Sequence, residues 1–386
     1  MSITSAPGFL AAGVHCGIKP KGLDLALVVT ADAKAVSTAA VFTTNLAAAA
    51  PVQVSRSHLA ETCGRAAAVV INSGNANAAT GVEGRDHAEK TCALVASELG
   101  CPPEEVLVCS TGLIGIPLDF AAIESGVKNL VASRASEAGA TAASAIMTTD
   151  TVMKQSLVHG NGFVVGAMAK GAAMLAPHMA TMLAFITTDA RVEPEVLQRA
   201  LKSAVGQSFN QLSVDGCTST NDTVMAFANG QGSAASEAEM IEALTDVCTD
   251  LAEQMANDAE GHTKVVRVHV VGAEDDEQAE RAARKVAESQ LVKCSFNGSD
   301  PYWGRVISEL GTARVAFDID KVVIDYGGII VCQNGTATVP DVAKLTEVVT
   351  SPQFDVTCDL RLGTGTATVL TNDLSHAYID ENAGTS

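Results

Sequence analysis

The sequence predicts an α/β protein folded as one integrated body with two lobes. Three observations predict it. Small and β-branched residues abound while aromatics make up only 4% of the 386 residues, a composition suited to closely packed sheets and helices. Segments with strand-like and helix-like hydrophobic spacing follow one another along the chain. No repeat, low-complexity linker or Pro/Ser-rich boundary separates them.

Taken in order, 23–30, 66–71 and 106–109 read as strands. Residues 181–187 form another, and their continuous apolar run predicts a strand covered on both faces. Helical spacing marks 195–209, where Val196, Leu197, Leu201, Ala204 and Val205 share a face. The strongest helix signal is 236–255: Met240, Ile241, Leu244, Val247, Cys248, Leu251 and Met255 keep the helical period. Ser236 and Glu239 have capping-box spacing at its start. Residues 264–271 alternate like a strand, and 277–289 return to a helical pattern. Further strands and short helices follow, ending in an irregular tail.

Composition narrows the functions available. Net charge is −19 with no lysine- or arginine-rich block, so nucleic acid is repelled. Ten scattered cysteines include no C-x-x-C pair, which leaves no zinc or thioredoxin-like signature and fits reduced thiols in a cytoplasm. No signal-peptide pattern opens the chain, and no apolar run is long enough for a membrane span. Walker, H-E-x-x-H, G-x-S-x-G and dinucleotide fingerprints are also missing. Nothing calls for a metal or a cofactor.

Three polar, glycine-bearing segments stand out. INSGNANAATG (71–81) follows a strand, and its Asn and Gly residues either build turns or shape a site. CSTGLIGIP (109–117) also ends a strand. Its Thr111-Gly112 pair forms a plain turn or aims a hydroxyl and a backbone N–H at one point, as an oxyanion hole requires.

The third is KGAAMLAPHMAT (170–181), which places Thr181 at the lip of an apolar strand. A strand-starting threonine is ordinary. The chemical alternative is a nucleophile, which needs a base to take its proton. A threonine freed as an N-terminus carries its own base, because an α-amine titrates near ~8. Freeing it requires the Ala180–Thr181 bond to break, with Pro177 and the small residues before it shaping the turn. His178 is either a second base or a structural histidine. Lys170, in an apolar stretch, either snorkels or binds an anion. Glu260, beyond the long helix, reads as a solvated helix-end carboxylate.

KGAAMLAPHMATMLAFITTDA nonetheless resembles the cleavage-site signature of the ornithine acetyltransferase family, the bifunctional glutamate N-acetyltransferases. GFLAAGVHCGIK, INSGNANAATG, STGLIG, AIMTTDT, VDGCTSTNDTV, DAEGHTK and DPYWGR occur in the family's order, so the resemblance spans nearly the whole chain. It implies a layered α-β-β-α sandwich like the N-terminal-nucleophile fold, with a smaller C-terminal lobe. It implies self-cleavage between Ala180 and Thr181 into an α chain of 1–180 and a β chain of 181–386, assembled as a heterotetramer of two of each. Thr181 then takes the acetyl group from N-acetylornithine and passes it to glutamate. Thr111 and Gly112 form the oxyanion hole, while Thr148, Lys170, Thr181, Glu260, Asn382 and Ser386 contact these small amino-acid substrates. No metal or cofactor is implied.

Two features depart from the family pattern. Tyr302 stands where DPYWGR commonly has Asn, and the tail DENAGTS lacks a tyrosine and is about a residue short. They bear on acceptor choice more than on the nucleophile, and are compatible with a paralogue in secondary metabolism, such as one near clavam biosynthesis. The rival enzyme reading is an amidase or aminopeptidase using the same threonine, with water as final acceptor. Outside enzymes, the rival is a binding protein for small amino acids with an intact chain.

Overall fold

The computed structural model of the chain describes residues 2–175 and 182–384. Pro177, His178, Ala180, Thr181 and Ser386 lie outside the described residues. The chain divides into two compact units: Met1–Asn210 with Cys217–Met255, and Gln211–Gly216 with Ala256–Ser386. The first unit thus holds chain from both sides of the expected cleavage point.

Two sheets build the first unit. One has four strands: β1 (Phe9–Val14), β2 (Leu25–Thr30), β5 (Ala68–Asn75) and β6 (Val106–Leu113), in that spatial order. The other runs β4 (Arg65–Ala66), β3 (Val36–Phe42), β11 (Thr223–Ala228), β9 (Leu183–Thr188), β8 (Val164–Lys170) and β7 (Lys154–His159). Alternation along each strand sends side chains to opposite faces. Ala26, Val28, Val69, Ile71, Leu107 and Cys109 share one core with Met168, Leu183, Phe185, Met225 and Phe227 of the other sheet. Leu25, Leu27, Val29, Val70 and Val108 point the other way, onto helices α1 (Ala50–Glu61), α2 (Gly81–Leu99) and α3 (Phe120–Ala132). Because both faces are covered, β2, β9 and β11 are buried at every residue.

Helix α4 (Gly139–Ala145) contributes Ala142, Ala143 and Ala145 to the layer between the sheets. Helix α5 (Pro194–Gln207) packs on β3 and β11 of the six-stranded sheet, and α6 (Glu237–Ala256) reaches its β7 edge. Gln198 of α5 exchanges two hydrogen bonds with the Ala40 backbone of β3, at 3.1 and 3.0 Å. Gln254 of α6 does the same for Gln155 of β7, at 3.1 and 3.0 Å. These amides satisfy backbone groups that would otherwise lie unpaired along the sheet. The unit is the α-β-β-α sandwich that the resemblance implied.

The second unit is a seven-stranded sheet in the order β10 (Leu212–Ser213), β17 (Gly365–Asn372), β12 (Val265–Ala273), β16 (Gln353–Asp359), β13 (Val323–Tyr326), β14 (Ile329–Gln333) and β15 (Thr336–Ala337). Val266, Val268 and Val270 of β12 pack on Ala279, Ala282, Ala283 and Val286 of α7 (Asp276–Ala287). Helices α8 (Gln290–Asn297) and α9 (Trp303–Leu310) extend this core, and α10 (Val342–Thr350) precedes β16. The tail departs from expectation. Residues His376–Asn382 form helix α11, started by Ser375, whose hydroxyl accepts from the Tyr378 amide. No helix among the described residues is long and apolar enough to cross a membrane.

Candidate active site

The strands β5 and β6 run parallel and in register until Gly74 faces Gly112, where the pairing slips and Asn75 faces both Thr111 and Leu113. Gly112 has φ +132°, and a Cβ there would lie 2.3 Å from the Gly74 carbonyl carbon. Only glycine fits such a position. Thr111 beside it is buried, with 2% of its surface exposed. The pair therefore sits in an irregular strand end and not in the plain turn that sequence also allowed.

Asparagines hold this irregularity in place. Asn72 donates to the Asn75 carbonyl at 2.8 Å and accepts from the Ser110 hydroxyl at 2.5 Å. The Asn75 side chain donates to the Ile116 and Pro117 carbonyls at 3.1 and 3.2 Å, while its Oδ1 accepts from the Asn77 amide at 2.8 Å. Asn77 and Ala79 then adopt left-handed φ of 46° and 57°. INSGNANAATG is thus both a strand end and a turn, stitched by side chains to backbone. From the loop just before β11, the Asn221 amide group donates to the Ser110 carbonyl at 2.9 Å and to the Ala76 carbonyl at 2.6 Å.

A second constellation surrounds Asp150. Its Oδ1 accepts from Lys154 Nζ at 2.7 Å and from the Gly171 amide at 2.6 Å. Its Oδ2 accepts from the Thr148 amide at 3.1 Å and lies 3.9 Å from Lys170 Nζ. Burial alone would raise this carboxyl, but the Lys170 and Lys154 charges outweigh it and hold Asp150 at about 2. Lys170 is 3% exposed, so it does not snorkel; it shares a buried anion with Lys154. Lys19 runs across Gly74 to donate to the Met147 carbonyl at 3.1 Å. Burial lowers its pKa, with Lys170 adding to the effect and Asp24 and Asp150 opposing it. Asp24 shapes the loop that carries Lys19, accepting from the amides of Cys16, Gly17 and Lys19 at 2.6, 3.1 and 3.0 Å.

Glu260 and Asn382 belong to the second unit. Asn382 donates to Glu260 Oε2 at 2.8 Å, so two residues 122 positions apart meet through helix α11. Glu260 lines a cavity of about 160 Å³ with Asp215, Glu288, Lys293, Asp373 and Tyr378. Burial pushes the Lys293 ammonium down to about 8, against the pull of Asp215 and Asp373. The cavity's charged lining is four carboxylates and Lys293, and Glu260 is half-buried at its wall with Asn382 as partner, beyond the plain helix-end carboxylate read from sequence. Tyr302 is an exposed residue at the start of α9, and the residues lining this cavity do not include it.

Thr148 and Lys170 thus meet at Asp150, Thr111 and Gly112 share one distorted strand end, and Glu260 and Asn382 touch. Lys19, Asp24, Asp150, Asn221 and Asp222 were not singled out from sequence. For all but Asp24 the available signal was their place inside the quoted blocks, GFLAAGVHCGIK, AIMTTDT and VDGCTSTNDTV.

Comparison with known proteins fixes the family. Residues 10–385 match the ArgJ family. The chain belongs to it. The arginine biosynthesis bifunctional protein ArgJ of Thermobifida fusca is 44% identical over 384 residues, covering 99% of both chains. That of Mycolicibacterium paratuberculosis is 45% identical over 391 residues, covering 99% of this chain and 95% of its own. Among solved structures, the ArgJ protein of Bacillus halodurans is 34% identical with a TM-score of 0.50, over 52% of this chain and 98% of its own. ArgJ membership confirms the resemblance read from the blocks and makes the chain a glutamate N-acetyltransferase, an acyltransferase of arginine biosynthesis.

Proposed function

We propose that the chain cuts itself between Ala180 and Thr181 and then moves an acetyl group from N-acetylornithine to glutamate through an ester on Thr181. The freed α-amine takes the hydroxyl proton, since its pKa near ~8 suits that task at neutral pH. The Thr181 oxygen attacks the acetyl carbonyl, the C–N bond breaks, and the proton leaves with ornithine. The glutamate amine attacks the ester in turn, N-acetylglutamate forms, and Thr181 regains its proton. This is double-displacement chemistry through one nucleophile.

The observation that carries this reading is the Thr111-Gly112 geometry. A strand end held in a left-handed glycine conformation, with a buried threonine beside it, fits an oxyanion donor pair. Lys170 and Lys154 gathered on one carboxylate favour the carboxylate of an amino-acid substrate nearby. Thr148, Lys170, Glu260, Asn382 and Ser386 keep the substrate-contact roles that the resemblance assigns. The two fragments, 1–180 and 181–386, stay together in a cytoplasmic heterotetramer of two α and two β chains.

The test is acetyl transfer followed with labelled N-acetylornithine, with and without glutamate. Parallel lines in double-reciprocal plots and label appearing in N-acetylglutamate agree with the proposal. Release of acetate at the same rate without glutamate contradicts it and makes the protein an amidase.

A further inference from the structure

Asn221 and Asp222 are consecutive, both buried, and each binds a different piece of the machinery. Asn221 grips the Ser110 carbonyl at 2.9 Å, one residue before Thr111. Asp222 Oδ1 accepts from the Met182 amide at 3.0 Å, one residue after Thr181. Strand pairing reinforces this placement. The Thr223 amide donates to the Met182 carbonyl at 3.1 Å, and β11 runs parallel to β9 with Thr223 opposite Leu183. The Thr43 amide holds the Asp222 carbonyl at 2.9 Å from the other side.

We infer that the Asn221-Asp222 dipeptide is a positioning clamp, which fixes the oxyanion strand β6 relative to the backbone at the start of β9. Neither side chain is required to touch the acetyl group. The inference rests on Thr181 and Thr111 having the roles proposed above. A single peptide unit spans the two side chains, so a shift of either grip moves one reacting element against the other. Misplacements on the scale of an ångström are enough to slow a positioned reaction by roughly a hundredfold.

The chemistry of Asp222 agrees with a holding role. Its second oxygen has no hydrogen-bond partner among the described residues, and its side chain is inaccessible to solvent. Burial drives its pKa well up, although the Met182 and Ser219 amides and the Lys170 charge pull the other way. Charged or neutral, the carboxyl keeps Oδ1 as the acceptor for the Met182 amide. Asparagine offers the same acceptor in the same shape.

The test compares wild type with Asp222→Asn, Asp222→Ala and Asn221→Ala in the full chain. It follows self-cleavage by mass over time, kcat and KM for acetyl transfer, and Tm. The clamp predicts that both alanine variants slow cleavage and lower kcat by roughly tenfold to a hundredfold while KM stays within about threefold. Asp222→Asn restores both rates to within about threefold of wild type. Should Asp222→Ala not fold, Asp222→Ser, too short to reach the Met182 amide, is read in its place. Alanine variants that cleave and turn over like wild type overturn the clamp, as does an asparagine variant as slow as alanine. A wild-type chain that never cuts defeats the proposed function itself and the clamp with it.

Discussion

Asp150 shows most directly how single residues build this site. One buried carboxylate takes hydrogen bonds from Lys154, the Gly171 amide and the Thr148 amide while lying beside Lys170. Removing its charge takes away the carboxylate that both buried ammonium groups face, and breaking a buried pair in this way costs about 3–5 kcal/mol. Asp150→Asn is therefore expected to lose that much stability in urea titration. Its pKa of about 2 lies below the ordinary 3.8. The stabilisation it gives is thus complete above about pH 4 and lost as pH falls towards 2. Wild type should lose Tm over that acid range, and Asp150→Asn should show a flatter profile. Gly112 is the second test at this scale. A Cβ at a φ of +132°, 2.3 Å from Gly74, forces the strand end apart. Gly112→Ala should lower kcat by about 10²–10³, the usual effect of losing one oxyanion donor. An unchanged kcat would remove Gly112 from the reaction. Lys170 could be narrowed from sequence only to snorkel or anion partner, because burial is a property of the folded chain.

Among the elements, regular periodicity was legible and irregularity was not. Helix α6 and its capping box were readable because seven apolar residues keep one face. Ser236 and Glu239 do exchange their bonds, with the Ser236 amide 2.9 Å from Glu239 Oε2 and the Glu239 amide 3.3 Å from Ser236 Oγ. Ser236→Ala should cost about 1 kcal/mol, seen as a small drop in Tm with no change in activity. The strands β2, β9 and β12 were readable from apolar runs or alternation, to within about two residues at their ends. By contrast, β5 continues through Asn72, Ser73, Gly74 and Asn75, and β6 through Ser110, Thr111 and Gly112. Asn, Ser and Gly favour turns, so the last residues of both strands were hidden. Side-chain bonds from Asn72, Asn75 and Asn221 hold them in the sheet. Helix α11 was missed because seven residues with one cap carry too little periodicity. Its reward is positional, since it brings Asn382 to Glu260.

On the scale of the whole molecule, the two compact units do not follow the expected cleavage point. The first unit contains strands from both proposed fragments, β8 before residue 180 and β9 after it, paired from Val165↔Thr188 to Lys170↔Leu183. Cleavage at 180–181 would cut one chain without separating neighbouring strands, so the fragments should copurify and resist dissociation short of unfolding. Gel filtration should show a single species containing both. The α/β class was legible from composition and alternating patterns, and its layering only through the resemblance. The site was legible mainly through the order of its sequence blocks. The buried charges and the two-handed grip of Asn221 and Asp222 appear only once two sheets face each other. The most direct measurement is intact mass under denaturing conditions for wild type and Thr181→Ala. Two fragments breaking after Ala180 in wild type, beside one whole chain in the variant, are the predicted result. A single uncut chain in both would contradict the account, because Thr181 would then have no free α-amine to act as its base.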